Sequence, residues 1–218
     1  MTKLKKRTPL TRERVLRAAL RLANRGGLES LSMRTLGEEL GVEAMSLYNH
    51  VANKEDLLDG LIDLVFAEIA IPSAAAGWRT AMRDRAISAR DVLKKHRWAL
   101  GVMESRRRPG PANLRHHDAV LAALRKAGFS VEMAAHAYSL LDAYIYGFTL
   151  NELSLPLDTH EAVAGVAEQI LEENPAGAYP YLAEVAADIV MKPGYDYGDE
   201  FEYGLDVILD GLQRKLRR

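Results

Sequence analysis

The side chains best suited to recognition chemistry are Ala44, Met45, Ser46, Tyr48, Asn49, His50 and Lys54. They close the stretch SMRTLGEELGVEAMSLYNHVANK, residues 32–54, which reads as a helix, a glycine turn and a second, short helix. Ser32 is a hydroxyl N-cap, Leu36 and Leu40 repeat at helical spacing, and Gly41 stops the helix. Val42 and Leu47 give the second helix an apolar side, so Glu43 and the recognition residues face outward. A major groove admits one α-helix. In a helix-turn-helix the first residues of the second helix reach base edges, while hydroxyl, imidazole and ammonium groups hold phosphates. The spacing therefore predicts base readout by Ala44, Met45 and Ser46 and backbone contacts by Tyr48, His50 and Lys54. Asn49 shares their outward face, and Arg34 stands at a helix start that can approach the duplex.

Two further helices must hold this pair. Thr11 caps a helix whose apolar positions Val15, Leu16, Ala19, Leu20 and Ala23 keep the i, i+3, i+4, i+7 spacing up to Gly26-Gly27. Asn53 caps another, with Leu57, Leu58, Leu61, Ile62, Val65 and Ile69 as its stripe, until Ile71-Pro72 and the small residues Ser73 to Gly77 interrupt it. That interruption predicts a boundary between a DNA-binding domain, 9–71, and a second domain, 78–218.

Charge separates the same halves. Residues 1–54 carry 11 basic and 5 acidic side chains, a net of +6, while the remainder carries −7, so the formal −1 of the 218-residue chain hides a strong dipole. A basic head on an acidic body suits phosphate attraction at one end, with affinity that falls as salt rises. The alternative reading of this charge as a disordered tail covers only Thr2 to Arg7.

The second domain reads as helices near Trp78 to Lys95, Trp98 to Ser105, Ala112 to Ala127, Val131 to Leu153, Thr159 to Glu173, Tyr179 to Met191 and Asp199 to Leu216. Turns fall at Arg106-Arg107-Arg108-Pro109-Gly110-Pro111, Asn174-Pro175-Ala176-Gly177 and Lys192-Pro193-Gly194, where proline removes a donor and glycine permits positive φ. No strand alternation of useful length occurs, so the fold class is all-α. Phe201, Leu205, Ile208, Leu209, Leu212 and Leu216 form a stripe wider than one chain's core requires. The helix from Val131 is apolar nearly all round, with Ser139, Ala143 and Gly147 every four positions. Together these helices predict a four-helix homodimer seam of twofold symmetry; an ordinary buried helix is the bland alternative.

The chain resembles the tetracycline-repressor (TetR) family of bacterial transcriptional regulators. The likeness is carried by LTRERVLRAALRLANRGGLESLSMRTLGEELGVEAMSLYNHVANKEDLLDGL, with its Leu-Tyr-x-His-Val segment and Lys-x-x-Leu-Leu helix start. It continues more loosely through Trp78, Lys126-Ala-Gly-Phe-Ser130, Tyr146-Gly-Phe-Thr-Leu150 and Phe201-x-x-Gly-Leu205. The resemblance implies a homodimeric repressor that binds a palindromic operator and is released by a small molecule, the fourth helix acting as lever between ligand and reading head. Where tetracycline repressors carry an amide, an aromatic and a metal-binding imidazole, Arg85, Ala89 and Met103 stand here. A small-molecule effector other than magnesium-tetracycline is therefore expected, with no cofactor or bound metal. The second-domain helices offer Trp98, Met103, His117, Tyr138, Asp142, Tyr144 and Tyr146 as pocket lining, though each could equally fill a core.

Catalysis has little support. His116-His117-Asp118 is the most tempting cluster, but adjacent residues on a helix point apart. No H-E-x-x-H, G-x-S-x-G, G-x-G-x-x-G or G-K-[ST] phosphate loop occurs. There are no cysteines, so disulfides and thiolate chemistry are excluded. A basic N-terminus without an apolar core predicts no export signal, no apolar run approaches a membrane span, and a cytoplasmic location is expected. The competing function is a helical small-molecule binding protein or enzyme whose basic head does not engage DNA.

Overall fold

The computed structural model describes residues 9–73, 77–103, 108–155, 160–174 and 177–216, and among these every regular element is helical. The expectations for Thr2 to Arg7, Ser105, Arg106-Arg107, Thr159, Pro175-Ala176 and Arg217-Arg218 lie outside the described residues. Helices α1 (Arg12–Gly26), α2 (Met33–Leu40), α3 (Ala44–Leu47) and α4 (Lys54–Glu68) form the N-terminal bundle. They are followed by α5 (Trp78–Lys95), α6 (Leu100–Met103), α7 (Pro111–Lys126), α8 (Val131–Ser154), α9 (His160–Glu173), α10 (Pro180–Val185) and α11 (Glu200–Leu216).

The starts of the N-terminal helices are hydrogen-bonded as their sequences require. Thr11 accepts from Arg14 N at 3.2 Å and Asn53 from Asp56 N at 2.9 Å. Ser32 and Thr35 form a reciprocal capping box, in which each side chain accepts from the other's backbone N–H. Gly41 ends α2 in the left-handed region at φ 66°, which lets the chain turn directly into α3. Val15, Leu16, Ala18, Ala19, Leu31, Leu36, Leu47, Val51, Leu57, Leu58 and Leu61 form one apolar core, so α1 and α4 hold the α2–α3 pair from behind.

Packing divides the chain into two compact units, residues 1–145 and 146–218, with the division inside α8. The proline segment after α4 does not separate packed bodies, because α4 packs against both α5 and α7. Within 146–218, Phe148 stacks on Tyr197 (4.9 Å between ring centroids) and meets Phe201 edge-on at 5.2 Å. Of the apolar stripe expected to form a seam on α11, Phe201, Leu205, Leu209 and Leu212 are buried within the single chain. The large apolar groups that α11 leaves exposed are Tyr203 and Val207. The expected last long helix before α11 is interrupted: α10 ends at Val185 and a π turn covers Ala186–Val190.

Within the N-terminal bundle, Gly37 is packed closely against backbone. A Cβ there would lie 2.8 Å from Val42 O and 3.2 Å from Ala44 N, both backbone atoms of the turn into α3. Gly37→Ala should gain up to about 1 kcal/mol of helix propensity but lose about 1–3 kcal/mol to overpacking. The expected outcome is a net loss of stability in denaturant unfolding; equal or higher stability would show that the turn yields.

Candidate nucleic-acid interface

Helix α3 is only four residues long, and its Leu47 is fully buried, pinning it to the bundle. Met45 is 75% exposed and stands at the second helical position, while Ala44 and Ser46 beside it are half-buried. Ser46 Oγ donates to Glu43 O at 2.6 Å, which closes the first turn of α3. Tyr48, Asn49 and Lys54 are exposed, and His50 is half-buried. His50 O accepts from Arg12 Nη1 at 2.9 Å. The same guanidinium grips Asp56 at 2.7 and 2.8 Å and, chiefly through those bonds, holds its carboxyl below the usual carboxylate range. The segment 48–53 is thus tied to both α1 and α4.

The basic excess of the head is less open than its formula. Arg17 pairs with Glu13, Arg21 and Arg25 with Glu39, and Arg34 with Glu38 at 3.1 Å. Arg34 is exposed, so its pair with Glu38 is a weak surface contact that a phosphate can replace.

Two polar junctions connect this head to the helices that follow. At the first, Asp63 of α4 accepts from Ala112 N at 2.8 Å and Asn113 N at 3.0 Å, the first free amides of α7 after Pro111. Gly110 makes room for that carboxylate, since a Cβ there would fall 2.3 Å from Asp63 Cγ. At the second, Asn24 of α1 meets two side chains from the end of α5 and the turn after it. Trp98 Nε1 can only donate, so it identifies the atom 2.8 Å away as Asn24 Oδ1. His96 Nδ1 lies 2.8 Å from that oxygen, and its Nε2 lies 3.1 Å from Glu68 Oε2 on α4. Trp98, expected to line a ligand pocket, stands in this junction beside the head's core.

A third polar cluster lies among α5, α7 and α8. Arg85 and His116 are each 1% exposed. Arg85 Nη2 donates to Asp142 Oδ1 at 2.5 Å and Arg85 Nε to His116 Nε2 at 3.0 Å. His117 Nε2 is hydrogen-bonded to Tyr138 Oη and its Nδ1 lies 2.9 Å from Asn113 Oδ1. Tyr138 also lies under the Arg85 guanidinium, 5.9 Å from ring centroid to Cζ. Three of the expected pocket residues, His117, Tyr138 and Asp142, are therefore brought together, and buried Met103 ends α6. Tyr144 and Tyr146 are half-buried on α8, the latter in unit 146–218. A cleft of about 320 Å³ beside Trp78, walled by Ala119, Ala122 and Ala123 of α7, is lined by none of the seven. In the sequence Arg85 stands out only as the residue where tetracycline repressors carry an amide, and His116 only within His116-His117-Asp118, because spacing does not encode their pairing; Asp63 has no signal of its own, although Gly110-Pro111 marks the helix start it caps.

The His116 ring packs against Phe66 of α4 with 5.9 Å between centroids. Thus α4 touches the cluster through Phe66, and through Asp63 the N-terminus of α7, while its leucines lie in the head's core.

Residues 15–61 match the bacterial regulatory proteins of the tetR family, and residues 71–216 match the tetracyclin repressor-like C-terminal domain. The chain belongs to the TetR family. It is 32% identical over 216 residues to the HTH-type transcriptional repressor DrrR1 of Streptomyces coeruleorubidus, covering 94% of this chain and 77% of the relative. It is 35% identical to the class A tetracycline repressor protein from transposon 1721 of Escherichia coli, covering 99% and 93%. Among solved structures, the Streptomyces coelicolor TetR family protein ActR in complex with actinorhodin aligns with a TM-score of 0.82 at 30% identity, covering 97% of this chain and 100% of that one. This TetR-family chain is a DNA-binding transcriptional regulator, and its family is one of regulators, not enzymes. Among its described residues no helix is long and apolar enough to cross a membrane.

Two outcomes follow for this regulator. Burial pushes His116 down to about 4, with the Arg85 charge acting in the same direction. Its neutral form therefore favours the fold fully above the ordinary value of 6.5, and about 3 kcal/mol is lost as pH falls from there towards 4. His116→Gln, which keeps an acceptor but does not titrate, should flatten that part of a stability-versus-pH curve; an unchanged curve would assign the acid sensitivity elsewhere. Asp63→Ala should cost about 0.5–2 kcal/mol, the usual value of a helix N-cap, with part recovered in Asp63→Asn. Hydrogen exchange at the start of α7 is the check, and undiminished protection there in Asp63→Ala would show that the carboxylate does not hold the two helices together.

Proposed function

We propose that the chain is a ligand-responsive repressor that binds a palindromic operator as a homodimer. The observation that carries this reading is the exposed edge from Met45 to Lys54, held rigidly by Leu47, Arg12 and Asn53 on a family-typical head. In it Ala44, Met45 and Ser46 read bases. Tyr48, His50, Lys54 and, after exchange of its Glu38 partner, Arg34 hold phosphates; Asn49 lies between the two sets. Apolar groups left exposed on α8 and α11, including Leu140, Leu150, Tyr203 and Val207, support a second copy as partner. The small exposed residues Ser139, Ala143 and Gly147 would let its helices approach closely.

The effector acts on the helices behind the head, in a second domain taken to start at Trp78. His117, Tyr138 and Asp142 belong to the polar cluster there and Trp98 to the junction with the head; Met103 and Tyr144 are further candidates in the same unit, and Tyr146 is a candidate in unit 146–218. The described structure of ActR with actinorhodin and the repressor name of the DrrR1 relative support ligand response and repression. A ligand changes operator affinity only if it prefers one arrangement of α4, since equal affinity for both shifts nothing. Action on an operator places the protein with the chromosome in the cytoplasm.

The test is binding of genomic fragments by the purified protein at two salt concentrations with competitor DNA, followed by footprinting. A palindromic footprint is expected. Tyr48→Ala and Lys54→Ala should weaken operator and nonspecific DNA alike and lower the salt slope, whereas Met45→Ala should change sequence preference more than overall affinity. No binding at either salt would turn the assignment to a helical small-molecule binding protein, and identical behaviour of all variants would remove α3 from the interface.

A further inference from the structure

The cluster at Arg85 has a surplus of donors. Arginine cannot accept, so the bond from Arg85 Nε to His116 Nε2 requires that Nε2 carry the lone pair. The proton of the neutral imidazole is then on Nδ1, consistent with the downward shift of this histidine. Both His116 Nδ1 and Arg85 Nη1 are buried, and neither has a hydrogen-bond partner. A buried donor without an acceptor is destabilising by about 1–3 kcal/mol, and native interiors rarely keep one without a reason. Here two stand on one bonded pair of residues, of which His116 packs on Phe66 of α4.

We infer that the effector of this protein presents acceptor oxygen, a carbonyl or phenolic oxygen on an otherwise apolar skeleton, to Arg85 Nη1 and His116 Nδ1. The inference rests on the ligand-responsive reading above and specifies the chemistry of its ligand. A cationic ligand does not fit: the carboxylate of Asp142 is already matched by the Arg85 guanidinium at 2.5 Å, and the groups without partners are donors. A metal chelate does not fit either. The Nε2 lone pair of the neutral His116 ring, the only one that could ligate an ion, is engaged by Arg85. Two aromatic rings flank the pair: Phe66 lies against His116, and the Tyr138 ring lies under Arg85. Flat skeletons with few, well-placed oxygens match such walls. An oxygen bound at His116 Nδ1 would act on a ring that packs on α4, which links the chemistry of recognition to the lever of the reading head.

The experiment uses the full-length protein and three probes of similar shape: 9-fluorenone, fluorene, which lacks only the carbonyl oxygen, and the flat cation 9-aminoacridine. Binding is followed by tryptophan fluorescence and by thermal shift. Fluorenone should bind at least tenfold more tightly than fluorene, with no binding of aminoacridine. The ratio should fall to about one in His116→Phe and in the charge-balanced double variant Arg85→Met/Asp142→Leu, which avoids leaving Asp142 buried without its partner. Comparable binding of fluorene or aminoacridine, a fluorenone advantage that survives in both variants, or no binding by fluorenone each overturns the inference. Footprinting of the wild-type preparation separates the two levels of failure: an intact palindromic footprint with no carbonyl preference removes only the ligand chemistry, whereas the absence of operator binding removes the reading beneath it.

Discussion

Helix α4 is held from two sides, and the rest of the arrangement depends on that. Leu57, Leu58 and Leu61 are part of the apolar core behind α2 and α3, so the reading edge cannot change its attitude without α4. About 3 Å and about 8 Å of helix axis beyond Leu61, by the ordinary rise per residue, Asp63 and Phe66 face α7. The apolar contacts are non-directional and set where α4 lies. The Asp63 carboxylate is directional: it satisfies two amides that the start of α7 cannot satisfy by itself, and so fixes the register between the two helices. Gly110 permits this approach because it has no Cβ.

The junction at Asn24 differs in kind. It links α1 to the end of α5 through side chains, with one amide oxygen receiving both the Trp98 indole and His96, while the other face of His96 meets Glu68. Hydrogen bonds of this kind contribute modest net stability, but their loss leaves buried polar atoms without partners, so they favour one geometry over near neighbours. Head and following helices are thus joined by a carboxylate at one point and an amide-imidazole pair at another, and a ligand that moves α7 or α5 acts on both.

The polar cluster of Arg85, His116 and Asp142 shows how a core can be organised for something other than stability. A buried ion pair is weak evidence for a stabilising role, because removing charges from water offsets much of their attraction. Retaining donors without acceptors beside it adds further cost. Such an interior is best explained by what enters it, and its position against Phe66 places that event one residue contact from α4.

The sequence by itself determined the local elements and which side chains of residues 45–54 face outward. Caps at Thr11, Ser32 and Asn53, the left-handed stop at Gly41 and the stripes of α1 and α4 are short-range rules, and the helices follow them. Outward placement of Met45, Tyr48 and Lys54 followed from the same periodicity. Only the tertiary structure decided what lies beside what. Trp98 went to Asn24, 74 residues away, and Arg85 to Asp142, 57 residues away; nothing in spacing encodes such pairings. On α11 Phe201 meets Phe148, 53 residues away, edge-on within the same chain, a contact that depends on the partner face and not on the stripe. Periodicity specifies which side of a helix is apolar, whereas contact across the fold specifies what that side, and every buried charge, will meet.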